Sequence, residues 1–352
     1  MPISNDLIQR LRSALQASGH AAADHPLVPL PDKGLAHDHV RLQGTAWLAR
    51  IPKQSQLGLA ARDNLDYQRA CFERAAASGH TPALHGVLPP SEQLPRGALL
   101  VQAIEGRPAR LPHDLPALAA ALAAMHALPL PEAAARAPLL NAADPLRSLA
   151  HEIDAQAAHL GAAGLPAPVM AAIEGERLRL QNSLESHNRP ARCLVAFDAH
   201  PGNFIVKPDG RAVLVDLEKC RYAHAGLDLA HATLYTSTTW DVDTQAVLAV
   251  DEVLGFYGAW EQSVGPTAAA VQAWHGPLRR AMWLWSITWC AKWRALSSAS
   301  ARAGADGEDW SSERSEAALI DHVRERVDHY LSAEVVDMVL DGFDGFERGL
   351  RA

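Results

Sequence analysis

The chain is poor in cysteine and has no paired cysteines. Cys71, Cys193, Cys220 and Cys290 are scattered without C-x-x-C spacing, which excludes a thioredoxin-like motif and a disulfide framework. They read as buried, reduced thiols of a cytoplasmic protein. No apolar run approaches the length of a membrane span, and the N-terminus has no apolar segment of the signal-peptide kind. The alanine-rich stretch ALAAALAAMHAL is helical and too short to cross. Basic residues are the minority, 32 against 40 acidic, for a net charge of −8. That balance argues against nucleic acid as a partner and is compatible with a cationic small molecule. The 17 histidines raise the question of zinc. Neither His37-Asp38-His39 nor His224 with His231 has the spacing of a motif such as H-E-x-x-H. No internal repeat is present, and the oligomeric state is left open. What remains is a chain of 352 residues, long enough for two lobes with cores of their own.

The informative stretch is Val195 to Glu218, VAFDAHPGNFIVKPDGRAVLVDLE. It holds an Asp, an Asn five positions on, an apolar strand, a turn, a second apolar strand and a final Asp. Phosphoryl transfer asks little covalent chemistry of a protein. It needs a carboxylate that orients and deprotonates a hydroxyl, and oxygen ligands for a metal that neutralises the phosphates. Mg²⁺ takes few protein ligands and keeps several waters, so Asn203 and Asp216 suffice, leaving Asp198 to face the acceptor. Phe204–Val206 and Ala212–Val215 read as strands around the turn residues Pro208-Asp209-Gly210. This hairpin would hold Asn203 at its start and Asp216 at its end. The plain alternative is that these polar residues merely cap turns.

The segment resembles the catalytic loop of the aminoglycoside phosphotransferase and choline kinase superfamily, H-G-D-x-H-P-x-N followed by a metal Asp in I-D-F/W-E. The segment YAHAGLDLAH is similar to the family's stretch ending in D-L-A, whose Asp braces the catalytic loop; here that is Asp228. The segment LAAMHALPLP around His126 resembles its L-x-x-L-H helix. The likeness runs from about Gly34 to about Trp293. It implies an α+β, bilobal protein-kinase-like fold: residues 1–104 a small sheet lobe with one helix that binds nucleotide, residues 105–352 a large, mostly helical catalytic lobe. It further implies ATP and Mg²⁺ as cofactors, Asp198 as catalytic base, Asn203 and Asp216 as metal ligands, and His200 as structural support in the loop. Two positions depart from the pattern. Ala196 stands where His is usual, and Phe197 where Gly or a small residue is usual.

Periodicity places helices at Asp6–Gln16 and Asn64–Ser78, with strands between Gly34 and Lys53 turning at Gln43-Gly44-Thr45 and another over Ala98–Ile104. Glu105 to Pro108 reads as a hinge. Further helices are expected at Asp114–Ala127, Leu146–Leu160, Val169–Glu185, Asp228–Thr236, Thr244–Gln262, Ala268–Ser298, Ser312–Leu331 and Glu334–Phe346. By resemblance, the strand WLARIPK carries the cation for the nucleotide phosphates, which is Arg50 or, since Pro52 disturbs the alternation, Lys53; otherwise each is an exposed edge charge. Gln68 stands where a Glu usually pairs with that cation, Asp66 and Glu73 lying on other faces. Gly34, in the loop GLAHDH, and Ala103 complete the expected nucleotide contacts.

In AMWLWSITWCAKWRALSS, Trp285, Trp289 and Trp293 recur every four residues and share a helix face, with Trp283 elsewhere. Trp289 and Trp293 read as core. Trp285 either packs in the core as well or plays the part of the Trp it matches in the choline kinase stretch L-W-x-L-W-S-I-x-Q, which helps cage a quaternary ammonium. Asp198 itself, Glu218, Asp241 and Asp243 are candidate acidic partners for such a cation. Two function classes follow. The first is an ATP-dependent phosphotransferase acting on a hydroxyl of a small, choline-like or aminoglycoside-like molecule. The second, motivated by Ala196, Phe197 and Gln68, is a degenerate kinase-fold nucleotide-binding protein with a regulatory role.

Overall fold

Leu7, Ile8, Leu11 and Leu15 fall on one side of a 3.6-residue period, and that side is the buried one of α1 (Asn5–Ala17), with Leu11 and Leu15 fully enclosed. The computed structural model describes residues 5–31, 36–297 and 317–351. They fall into two compact units, one drawn from within Met1–Ala76, Pro82–Ile104 and Ala299–Glu325, the other from within Ala77–Thr81, Glu105–Ser298 and Arg326–Ala352.

In the first unit the alternating apolar runs form β1 (Leu27–Pro29), β2 (His37–Leu42), β3 (Trp47–Pro52), β4 (Leu84–Leu88) and β5 (Ala98–Gln102), with α2 (Ala61–Ala75) between β3 and β4. The sheet order is β1-β2-β3-β5-β4, every pair antiparallel. The expected β2–β3 turn is present, with Gly44 at φ +80°, a backbone region that only glycine enters cheaply. Val40, Leu42, Ala49, Ile51 and Leu100 pack with Leu11 and Leu15 as the unit's core. With α1 the region has a second α-helix beside the single one the resemblance implies. α2 begins at Ala61, three residues ahead of the expected Asn64, because the Asn64 amide already donates to the Ala60 carbonyl. The strand expected over Ala98–Ile104 ends at Gln102. The unanticipated β1 is only three residues long, and β4 has a register shift between Leu84 and Gly86 that breaks its alternation.

The second unit is mainly helical. In chain order it contains β6 (Arg107–Pro108), α3 (Leu115–His126), α4 (Pro145–Ala157), α5 (Ala167–Leu184), β7 (Cys193–Val195), β8 (Phe204–Val206), β9 (Ala212–Leu214), β10 (Arg221–Ala223), α6 (Gly226–Thr233), α7 (Tyr235–Thr238), α8 (Val250–Val264), α9 (Ala269–Gln272) and α10 (His275–Ser297). The described chain closes with α11 (Ala317–Tyr330) and α12 (Ala333–Gly349). β6-β8-β9 and β10-β7 are small antiparallel ribbons, and His80 extends the first by accepting from the Leu214 amide. α10 is central, packing on α4, α5, α6 and α12. Its Arg280 pairs with Glu176 of α5 and with Asp344 and Glu347 of α12 at 2.6–2.8 Å. Trp283 of α10 packs edge-on against Phe343, and Tyr257 of α8 lies tilted against Phe346 at 4.8 Å.

Two expected helices are shorter than their pattern. The one drawn from Thr244 starts at Val250. Upstream, the Asp241 carboxylate accepts from the Asp243 amide and ties the chain into a turn. The one drawn over Ala268–Ser298 is broken at Ala273-Trp274 into α9 and α10. Ser312 and Ser298 lie outside the described residues. Among the described residues, no helix is long and apolar enough to cross a membrane. All four cysteines are buried and none is in a disulfide.

Candidate active site

β7 leads into the loop that carries Asp198, and the loop is held from below. Asp228, wholly buried at the start of α6, accepts the Ala196 amide at 2.7 Å and the Phe197 amide at 2.8 Å. His126 at the end of α3 reaches the same carboxylate through Nε2 at 3.1 Å. Trp260 of α8 donates its indole N–H to His126 Nδ1 at 3.0 Å, so Nε2 carries the proton given to Asp228. Three helices therefore converge on two backbone amides. Of these partners, sequence reasoning singled out His126 and Asp228 by resemblance and missed Trp260.

After the loop, Asn203 opens the β8–β9 hairpin. The Val215 amide donates to the Asn203 carbonyl at 2.9 Å, which sets Asp216 beside Asn203 on the neighbouring chain. The Asn203 side-chain Nδ2 donates to the Asp198 carbonyl at 2.8 Å. That bond fixes which way the amide points and leaves its Oδ1 as the outward oxygen. Asp198, Asn203 and Asp216 are thus brought together on one loop and one hairpin. Gly202 lies against Asp241, where an added Cβ would come within 2.6 Å of the Asp241 Cβ, so the two chains meet here only because residue 202 has no side chain. Asp241 is thereby beside the loop. Glu218 is buried.

Phe197 has φ +62°, a costly conformation for a bulky residue. This is the position where the resemblance expects glycine. Its ring is enclosed: the Arg221 guanidinium stacks on it at 3.6 Å, and Trp285 meets it edge-on at 5.2 Å. Glu152 links the two flanking residues, accepting from Arg221 at 2.6 Å and from the Trp285 indole N–H at 3.2 Å. The ring's contacts offset the backbone strain. Phe197→Ala, which loses the ring and keeps the strain, is expected to cost about 3–5 kcal/mol. Phe197→Gly should cost less by about 1 kcal/mol, the reverse of the usual order. Denaturant midpoints of the two variants check this, and a glycine variant less stable than the alanine one would refute it.

The Asp198 carboxylate does not stand alone. Lys219 Nζ lies 2.8 Å from its Oδ2, with both side chains largely buried. His231 Nδ1 is 3.8 Å from Oδ1, and the His200 ring lies 6.1 Å from that of His231. Burial pushes the Asp198 carboxyl upward, but the Lys219 ammonium, with His200 and His231, holds it below the usual range. Burial likewise acts to lower the Lys219 pKa, and Asp198 and Glu218 outweigh it, so the ammonium is raised. For His231 burial wins and pushes the ring down to about 4, so it is neutral at pH 7. Lys219 also lies 5.9 Å from the Trp285 ring centre. No sequence signal marked Lys219 beyond its place after the D-L-E triplet.

The tryptophan stripe divides. Trp293 is buried as expected. Trp289, expected in the core, is half-exposed and meets Trp240 edge-on at 5.9 Å. The helix face turns outward toward its N-terminal end, and Trp285 is half-exposed there too.

In the first unit, Arg50 is buried and the side chain of Lys53 is enclosed, which rules out exposed edge charges. Lys53 Nζ lies 3.8 Å from Asp38. Arg50 NH2 donates to His37 Nδ1 at 3.3 Å, and His37 Nε2 meets Gln68 Oε1 at 2.9 Å. Gln68 therefore reaches Arg50 through His37, a residue the sequence reading left among ordinary histidines. Asp66 and Glu73 pair with Arg69 on the outer face of α2. Ala103 follows β5, its amide donating to the Ala46 carbonyl at 2.8 Å. Gly34 lies outside the described residues.

The profile of the phosphotransferase enzyme family matches residues 27–262, while no curated protein matches the chain. Among solved structures, the chain is similar to a choline/ethanolamine kinase family protein from Mesorhizobium loti, with a TM-score of 0.56 and 16% identity over 98% of this chain and 99% of that one. It is also similar to aminoglycoside 2'-phosphotransferase-IIIa in its GDP complex, with a TM-score of 0.59 and 13% identity over 93% and 99%. The choline kinase of Streptococcus pneumoniae aligns with a TM-score of 0.52 and 14% identity over 92% and 99%. At these identities the neighbours speak for the fold: a small antiparallel sheet region joined in sequence to a large helical one. The family profile spans more than half of the chain, including β7, the Asp198 loop, the β8–β9 hairpin and Asp228, and on that match the protein belongs to the phosphotransferase enzyme family.

Proposed function

We propose that the protein transfers the γ-phosphoryl group of ATP to a hydroxyl of a small molecule. The observation that carries this reading is the grouping of Asp198, Asn203 and Asp216 on one hairpin and the loop before it, a loop anchored through Asp228. In this reading Asp198 accepts the acceptor's hydroxyl proton and orients the attacking oxygen. Lys219 keeps that carboxylate ionised and in place. Asn203 and Asp216 offer hard oxygens of the kind Mg²⁺ prefers, and the Asn203 amide is already turned to present its oxygen. When bound, Mg²⁺ would neutralise phosphate charge and fix the phosphoryl group in line. Arg50, steadied by His37 and Gln68, is the residue for the nucleotide phosphates, with Ala103 and Gly34 the remaining nucleotide contacts. Buried thiols outside any disulfide fit a reducing cytoplasmic compartment. The cationic acceptor suggested by Trp285, Glu218 and Asp241 has weaker support than the transfer itself, because a lysine of the chain already faces that indole.

Asp216→Ala is expected to abolish Mg²⁺-dependent ATP binding, and Asn203→Ala to weaken it less, since a carboxylate outranks an amide as a ligand for a hard cation. Calorimetric titration of each variant with ATP, with and without Mg²⁺, reads this directly. Unchanged affinity in Asp216→Ala would remove the segment Asp216 to Glu218 from the metal site.

A further inference from the structure

A carboxylate set against an aromatic face is a receptor for an ammonium ion. Asp198 and Trp285 form such a pair in this chain, and its cation is Lys219, 2.8 Å from the carboxylate and 5.9 Å from the indole centre. We infer that Lys219 is a built-in occupant of this cation position, and that it makes the phosphotransferase selective for acceptors with no ammonium group near the reacting hydroxyl, excluding compounds such as choline.

The surroundings hold the lysine there. The Trp285 N–H is committed to Glu152, which orients the indole. Phe197 lies against the indole edge-on. Arg221, the other cation nearby, is bound by Glu152 and by the Phe197 ring. A substrate ammonium brought to Asp198 would meet a like charge at close range in a poorly hydrated site, an arrangement that costs free energy. A neutral alcohol brings no such conflict. It can place its hydroxyl on the Asp198 oxygen that Lys219 leaves free, and it can accept an N–H from the ammonium. Removing the lysine would leave the carboxylate and the indole without the cation that now lies between them. The inference deepens the proposed function and rests on Asp198 being the acceptor-side base.

The test is a binding measurement on the full chain without nucleotide. The probes are choline and its uncharged isostere, 3,3-dimethylbutan-1-ol, followed by calorimetry and thermal shift. The wild type is expected to bind choline at least about tenfold more weakly than Lys219→Ala does, a difference in the range of one desolvated cation–aromatic contact. Lys219→Arg, which keeps a cation, should stay closed to choline. Adding Trp285→Ala to Lys219→Ala should abolish the gain. Choline binding to the wild type as tightly as to Lys219→Ala overturns the inference, as does a folded Lys219→Ala that gains no affinity. Should that variant fail to fold, the wild type decides: preference for choline over the neutral isostere overturns the inference, and the opposite order supports it. None of these readouts needs phosphoryl transfer, so failure of the catalytic reading, seen in Asp198→Asn, is separable from failure of this one.

Discussion

Asp198→Asn is expected to lower kcat by about 10²–10⁴-fold, the range general-base groups supply, while Mg–ATP affinity stays at the wild-type value. The substitution keeps the volume and one oxygen for Lys219, so the loop retains its place. What disappears is the ability to take a proton from the acceptor and the negative charge that orients it. Steady-state kinetics with a panel of alcohols, sugars and amino alcohols, together with nucleotide titration, separates the two effects. Near-wild-type turnover with any acceptor would refute Asp198 as base. A matched loss of nucleotide affinity would point to collapse of the loop.

Asp228→Ala is expected to carry the largest structural penalty. It strips the partner from two buried amides, those of Ala196 and Phe197, and from His126. Each orphaned donor costs about 1–3 kcal/mol, so the amides alone amount to about 2–6 kcal/mol. Asp228→Asn should fall between, because the amide oxygen can serve one N–H while its NH2 confronts the other. Hydrogen exchange at the Ala196 and Phe197 amides is the local readout. Both should exchange faster in the alanine variant by a factor matching the loss of stability. Wild-type protection at both would mean that something else holds the loop.

The sequence disclosed this site unevenly, and the unevenness has a physical origin. The β8–β9 hairpin was legible because alternation, a Pro-Asp-Gly turn and short range all act within a dozen residues. Asn203 and Asp216 followed from it, since a hairpin's ends are neighbours by construction. Asp228 was legible only through resemblance. Its contacts join α6 to a loop some thirty positions away, and no local pattern encodes that. Lys219, Glu152 and Arg221 went unread because ion pairs such as Arg221–Glu152, 69 positions apart, leave no periodic trace. His37 was hidden differently. It shares a strand face with His39, and although the register sets His39 opposite Arg50, His37 reaches the guanidinium diagonally, which no sequence pattern announces. Phe197 shows the limit of substitution reasoning: a residue that looks wrong for a tight loop is held there by Arg221 and Trp285. The early end of the 98–104 strand and the late start of α8 both lie at element boundaries, where capping and Asx turns compete with periodicity.

The Arg280 junction bears on how this chain is made. Helix α10 presents Trp283 and Arg280 to partners on α12, whose residues are synthesised some sixty positions later. Through that interval Phe343 and Phe346 do not yet exist to cover Trp283 and Tyr257, and Arg280 has only Glu176 of its three carboxylates. The first unit's five-stranded sheet and α1 are complete by residue 104 and can consolidate during elongation. The second unit, by contrast, emerges with an open aromatic seam that closes only when the last described helix arrives, so its nascent form is the one exposed to misassembly on the ribosome.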